Sequence, residues 1–223
     1  AGKGSIADIH PLSVGASGRY SRKVANTVLS EADFVLAVGT RLSSMSTDVF
    51  KYPRKGTRIV HLDLDPGTLG RTYREELSMI GDARTALVMM REAASAAKVN
   101  GSRWAAWTKE VQGQVAAWLV DLERESRQPL LDGKLNPYHI MRLIDQHVGG
   151  DDLVVADTGY MAAWAVTVLQ QKQAGRNTLR AAGSLGWAFP AAFGAKLAVG
   201  QTRLVFGLTG DGGLGYHIGD RET

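Results

Sequence analysis

There is no cysteine among the 223 residues. Disulfides, thiolate metal sites and cysteine nucleophiles are therefore excluded, and the cytoplasm is the default compartment for such a chain. Long apolar runs are also lacking, because Gly or charge interrupts each one well short of a membrane span. The opening Ala1-Gly2-Lys3-Gly4-Ser5-Ile6 has no apolar stretch of the signal-peptide kind. No two of the five histidines stand at metal-binding spacing. Gly2-Lys3-Gly4-Ser5 hints at a phosphate loop but lacks the Gly-x-x-x-x-Gly-Lys-Ser/Thr spacing and a preceding strand. No Gly-x-Gly-x-x-Gly stands between an early strand and its helix, which speaks against a nicotinamide dinucleotide site. Ser184 has no partners in the order of a hydrolase triad. The excess of positive charge is small, +4, with acids interspersed among the bases. This is a slightly basic surface with no nucleic-acid partner implied.

What is present is the composition of a globular protein, 44% hydrophobic and 22% charged. Residues 21–31 have a helical period, and Phe34-Val35-Leu36-Ala37-Val38 reads as a buried strand closed by Gly39. Arg58 to Leu64 is a second strand, ended by the turn Asp65-Pro66-Gly67. Residues 82–97 are helical with Asp82 as N-cap. Residues 98–132 read as a helical connector that packs Trp104, Trp107 and Trp118 on a neighbouring domain. Asn136-Pro137 opens a helix to His147, with Pro137 at its first position. Strands follow at 153–156 and 203–208, with a Gly-rich loop from Thr178 to Pro190 and a small-residue helix from Ala191 to Val199. Strands alternating with helices predict an α/β fold of two open parallel sheets covered by helices on both faces, the second incomplete at its C-terminus.

Three segments carry chemistry. Gly210-Asp211-Gly212-Gly213 follows an apolar strand, where open α/β sheets bind ligands. A carboxylate between glycines suits a divalent ion held against a diphosphate, since magnesium takes oxygen ligands and keeps phosphate oxygens in its shell. Asp157-Thr158-Gly159-Tyr160 occupies the same kind of position after strand 153–156 and converges on one crevice with the first segment, with Asp157 alternatively an N-cap for a helix near Met161. Gly183-Ser184-Leu185-Gly186 places an apolar residue between glycines and suits a flat heterocycle, before Pro190 and its alanines begin a helix.

In this order the segments resemble the thiamine diphosphate enzymes of the acetolactate synthase and pyruvate decarboxylase superfamily. That family's diphosphate motif opens with Gly-Asp-Gly, matched by Gly210-Asp211-Gly212, and closes with an asparagine that would lie beyond Thr223. The resemblance makes Asp211 the metal ligand for Mg2+ and assigns Gly210, Gly212 and Gly213 to the diphosphate. It assigns Gly183, Ser184 and Leu185 to the aminopyrimidine, with Leu185 as the apolar wedge where many relatives carry methionine. Gly159 and Tyr160 fall on the family's Gly-Gln-His-Gln loop, here Gly-Tyr-Met-Ala, and His217 follows the motif closely enough to line the pocket.

Gly39-Thr40-Arg41, Asp63-Leu64-Asp65-Pro66 and Gly81-Asp82-Ala83 resemble the middle domain of these enzymes. The resemblance therefore divides the chain into a middle domain at 1–97, a connector at 98–133 and a partial diphosphate-binding domain at 134–223. Met45 stands where the acetolactate synthase pattern has a second arginine, which argues against FAD. The implied activity is carbon–carbon cleavage or formation on a 2-keto acid. The implied activating glutamate comes from an N-terminal pyrimidine-binding domain or a complementary chain, within a homodimer or homotetramer. No catalytic acid is assigned among residues 1–223. The competing expectation is a regulatory or assembly subunit that keeps the fold without the chemistry.

Overall fold

The computed structural model describes residues 2–129, 131–175, 177–181 and 183–222, without the side chains of Leu131 and Arg221. Two compact units emerge. One comprises Ser17–Arg19 and Lys23–Gln114, and the other Ala1–Ala16, Tyr20–Arg22 and Val115–Thr223. Each is built on a three-stranded, wholly parallel sheet with helices, the predicted α/β architecture. Among the described residues no helix is long and apolar enough to cross a membrane.

In the first unit α1 (Lys23–Glu31) buries Val24 and Ala25. Strands β1 (Phe34–Val38), β2 (Arg58–Asp63) and β3 (Leu77–Ile80) lie in the order β1-β2-β3. The third strand is an addition to the sequence reading. Its four residues are too short a run to stand out, and pairing with β2 from Val60↔Leu77 to Asp63↔Ile80 defines it. Asp82 caps α2 (Ala83–Ala96) as predicted, accepting from the Thr85 amide at 2.9 Å. At the centre of the sheet His61 is 1% exposed. Its Nδ1 lies 2.6 Å from Glu75 Oε1 and its Nε2 2.8 Å from the Thr40 carbonyl. Both partners are oxygen acceptors, so the imidazole ties the end of β1 to the approach to β3.

Helix α3 (Ala105–Ser126) begins in the first unit and ends in the second. Trp118 is half-buried against the second unit's core, and the Arg22 guanidinium sits 5.1 Å above its ring. Trp104 departs from the expectation that the connector's tryptophans pack. It is 48% exposed, in a 3-10 turn before the regular helix, with the Arg103 guanidinium 5.1 Å from its ring.

In the second unit Asn136 caps α4 (Pro137–His147), and Pro137 takes the first turn, where no intrahelical donor is needed. Strand β4 (Leu153–Ala156) is buried at every residue, as a central parallel strand must be. It lies between β5 (Thr178–Arg180) and β6 (Val205–Leu208). The segment predicted as one loop from Thr178 to Pro190 thus contains a strand, and α6 (Ala188–Val199) starts earlier than expected. Pro190 fits inside its first turn. Helices α5 (Tyr160–Val168) and α7 (Asp211–Tyr216) complete the unit. The opening residues belong here through a buried ion cluster. Asp8 Oδ2 accepts from Lys3 Nζ at 2.6 Å, Arg22 Nη2 at 3.1 Å and the Gln171 amide at 2.8 Å. Lys3 also donates to the Leu169 carbonyl at 2.7 Å and Arg22 to that of Thr167 at 3.2 Å. Lys3 of the phosphate-loop look-alike is thus spent on structure. Burial pushes its ammonium below the ordinary lysine range, against the pull of Asp8.

Candidate functional site

Because β4, β5 and β6 are parallel, the segments after them leave the sheet at one end. Those segments contain the three motifs picked out in the sequence, and Asp157 joins them. This carboxylate is 1% exposed, at the step beyond β4. Its Oδ1 accepts from the Thr158 amide at 2.7 Å and the Gly186 amide at 3.0 Å. Its Oδ2 accepts from the Gly186 amide at 3.0 Å and Thr209 Oγ1 at 3.0 Å. The alternative of a helix cap is therefore corrected. Gly159 is the N-cap of α5, with no side-chain cap bond, because the Asp157 carboxylate is turned to the loops after β5 and β6.

The glycines of the three loops fall into two kinds. Gly186 has φ 81°, and a Cβ there would lie 2.8 Å from Tyr216 Cβ and His217 Cδ2 and 2.9 Å from the Gly213 carbonyl. A Cβ on Gly213 would run into Asp157 Oδ2 and lie 2.8 Å from Thr209 Oγ1. These two positions form a close seam between the second and third loops, and at Gly186 the positive φ adds a second reason for glycine. Gly159, Gly183, Gly210 and Gly212 are the opposite, since a Cβ at any of them would meet nothing within 4 Å. They border open space around the seam.

The predicted side chains stand on the same rim. Leu185 is 52% exposed and Tyr160 80% exposed. Ser184 is exposed, and so is Asp211 at the first position of α7. A carboxylate there is favoured by the helix dipole. Among the described residues no group of three or more His, Asp or Glu side chains gathers to hold a metal. His217 packs beside Gly186, with Nδ1 3.3 Å from Asp220 Oδ2. Two threonines that the sequence reading passed over belong to the site. Thr209 is held by Asp157, and Thr158 Oγ1 is buried with no hydrogen-bond partner among the described residues. Their only sequence signal is adjacency, one before Gly210 and the other after Asp157.

Comparison with known proteins meets this geometry at the same residues. The family model described as "Thiamine pyrophosphate enzyme, central domain" matches residues 1–90, and "Thiamine pyrophosphate enzyme, C-terminal TPP binding domain" matches residues 157–223. The chain belongs to the thiamine pyrophosphate enzyme family. The second match starts at Asp157 itself and includes all three loops. Similar proteins include a probable acetolactate synthase large subunit of Methanocaldococcus jannaschii, 28% identical over 216 residues, which are 96% of this chain and 36% of that protein. The acetolactate synthase large subunit of Parasynechococcus marenigrum is 26% identical over 226 residues, 100% of this chain and 34% of its own. The acetolactate synthase of Mycobacterium avium is 26% identical over 216 residues, 94% of this chain and 33% of its own. The chain therefore spans about a third of the length of the curated relatives it matches.

Proposed function

We propose that this chain holds the cofactor in a thiamine diphosphate-dependent enzyme that breaks or forms a carbon–carbon bond at a 2-keto acid, as the names of its acetolactate synthase relatives suggest. The observation that carries this reading is the convergence of three glycine-rich strand ends on one buried carboxylate, with open glycines around it. When bound, thiamine diphosphate supplies an electron sink for the carbon whose bond is broken or made.

The residues present fit that group. Gly210, Gly212 and Gly213 let backbone approach a diphosphate, and Asp211 is the ligand available to Mg2+ beside it. Gly159 and Tyr160 border the same end, and the unspent Thr158 hydroxyl is a donor for a phosphate oxygen. Gly183, Ser184 and Leu185 hold the aminopyrimidine, with Leu185 as its apolar support. The activating glutamate is assigned to an N-terminal pyrimidine-binding domain or complementary chain, within a homodimer or homotetramer. Met45 in place of a second arginine disfavours FAD.

Isothermal titration of the full-length product of the reading frame, with thiamine diphosphate and magnesium, tests the reading. Asp211→Ala should weaken metal-dependent binding at least about 100-fold, the scale of a charge-assisted interaction lost at a metal. Unchanged affinity would remove Asp211 from the metal site. A second reading, a regulatory or assembly subunit, draws on the Gly159-Tyr160-Met161-Ala162 loop, whose exposed tyrosine offers no amide or imidazole to a diphosphate. Cofactor binding without turnover in the completed assembly would favour it.

A further inference from the structure

We infer that Asp157 is a positioning residue: it fixes the spacing between the Gly183–Gly186 loop and the Thr209–Gly213 loop, and so sets the pyrimidine-holding and diphosphate-holding halves of the site relative to each other. The inference rests on the reading above for what each loop holds. The geometry rests on contacts alone. A carboxylate this deeply buried is costly unless its lone pairs are used. Here both oxygens are used, and the donors beyond its neighbour Thr158 come from 29 and 52 positions away, one on each loop. The Gly186 amide is 3.0 Å from both oxygens, so it is centred on the carboxylate. Gly213 lies against Oδ2 with no room for a side chain. Any displacement of Asp157 therefore moves both loops, while the open glycines that face the ligand space, Gly183 on one and Gly210 and Gly212 on the other, ride on those loops.

A brace that served only stability could be apolar. Replacing a buried charge by packed hydrocarbon is often neutral or favourable. What a carboxylate adds is a single distance, because three directional donors over-determine its place. Two half-sites held at the right separation bind a ligand that spans them far better than either piece. Asp157 makes no contact with the ligand in this scheme, and it acts through the Gly186 amide and Thr209.

The test compares a ligand that spans both loops with one that uses a single loop. In the full-length product, Asp157→Asn and Asp157→Ala are titrated with thiamine diphosphate and, separately, with inorganic pyrophosphate, magnesium being present in both. Asn keeps the shape and lets Thr209 turn its hydroxyl toward the Gly210 carbonyl, now 3.3 Å away, so this variant disturbs the packing less than Ala. Asp157→Asn should weaken thiamine diphosphate about 10- to 100-fold, the range for losing a charged hydrogen bond, and pyrophosphate less than about 3-fold. Hydrogen exchange at the Gly186 amide should speed up in the same variant without cofactor. Equal losses for the two ligands, or unchanged affinity for both, overturn the inference while leaving the family reading intact. A wild-type protein that binds pyrophosphate but not thiamine diphosphate overturns the reading and, with it, the role given to Asp157.

Discussion

Each unit buries an ionisable side chain in or at the end of its central strand, and the two are used differently. His61 in the first unit sits inside a strand, with both ring nitrogens engaged by Glu75 and the Thr40 carbonyl. Glu75 is itself filled by Ser78 and the Gly70 amide. That network is closed, and it consumes every group it contains. Asp157 in the second unit lies just past a strand end, beside a threonine hydroxyl with no partner among the described residues and four glycines that border open space. A saturated buried network braces a sheet. An unsaturated one at the carboxyl end of parallel strands is where an open α/β sheet takes its ligand.

The largest expected effect comes from opening the closed network. His61→Ala leaves the Glu75 carboxylate buried without its partner and should cost about 3–5 kcal/mol in denaturant unfolding of the first unit. A loss below about 1 kcal/mol would mean that this network carries no more than a surface pair does. Next in size is a contrast between neighbours in one motif. Gly213→Ala pushes a methyl group against Asp157 and Thr209 and should cost about 1–3 kcal/mol of the second unit's stability, as overpacking does. Gly212→Ala meets nothing and should stay within about 0.5 kcal/mol, as substitutions away from packed features do. Equal costs at 212 and 213 would erase the distinction between the seam and the open rim.

The smallest effect is one of slope. Burial pushes the Glu75 carboxyl up, but the hydrogen bonds from Ser78, the Gly70 amide and His61, with the imidazole charge, outweigh burial and hold it below the usual carboxylate range. A lowered folded value means stability that is present above the unfolded value, about 4.3, and lost as pH falls through the folded one. Stability of the first unit should therefore decline in acid below about pH 4.3, and Glu75→Gln should flatten that limb. An unchanged acid slope in the variant would show that other carboxylates govern it.

Most of the fold was legible because its signals are local. Asp82 and Asn136 cap the helices they were expected to cap, and β4 announces itself as four apolar residues in a row. Strands β3 and β5 were not legible, because three or four residues become a strand only through pairing with a neighbour. The site was legible to the level of loops. Sequence brought out Gly210–Gly213, Gly183–Gly186 and Asp157–Tyr160, yet it offered a local use for Asp157, whose partners are set by tertiary approach. The open and packed glycines look alike in sequence, since what separates them is the neighbour each one meets.

The ion cluster at Lys3, Asp8 and Arg22 bears on how the molecule is made. Lys3 and the carbonyl that accepts from it are 166 positions apart, and the whole of Lys23–Gln114 intervenes. These charged residues are synthesised well before Leu169, so the cluster closes only after the intervening segment has been made. The Lys3 contact with Leu169 is thus non-local, of the kind that forms slowly. A cut after residue 97 would part Trp118 from its arginine and the end of α5 from the cations that finish it.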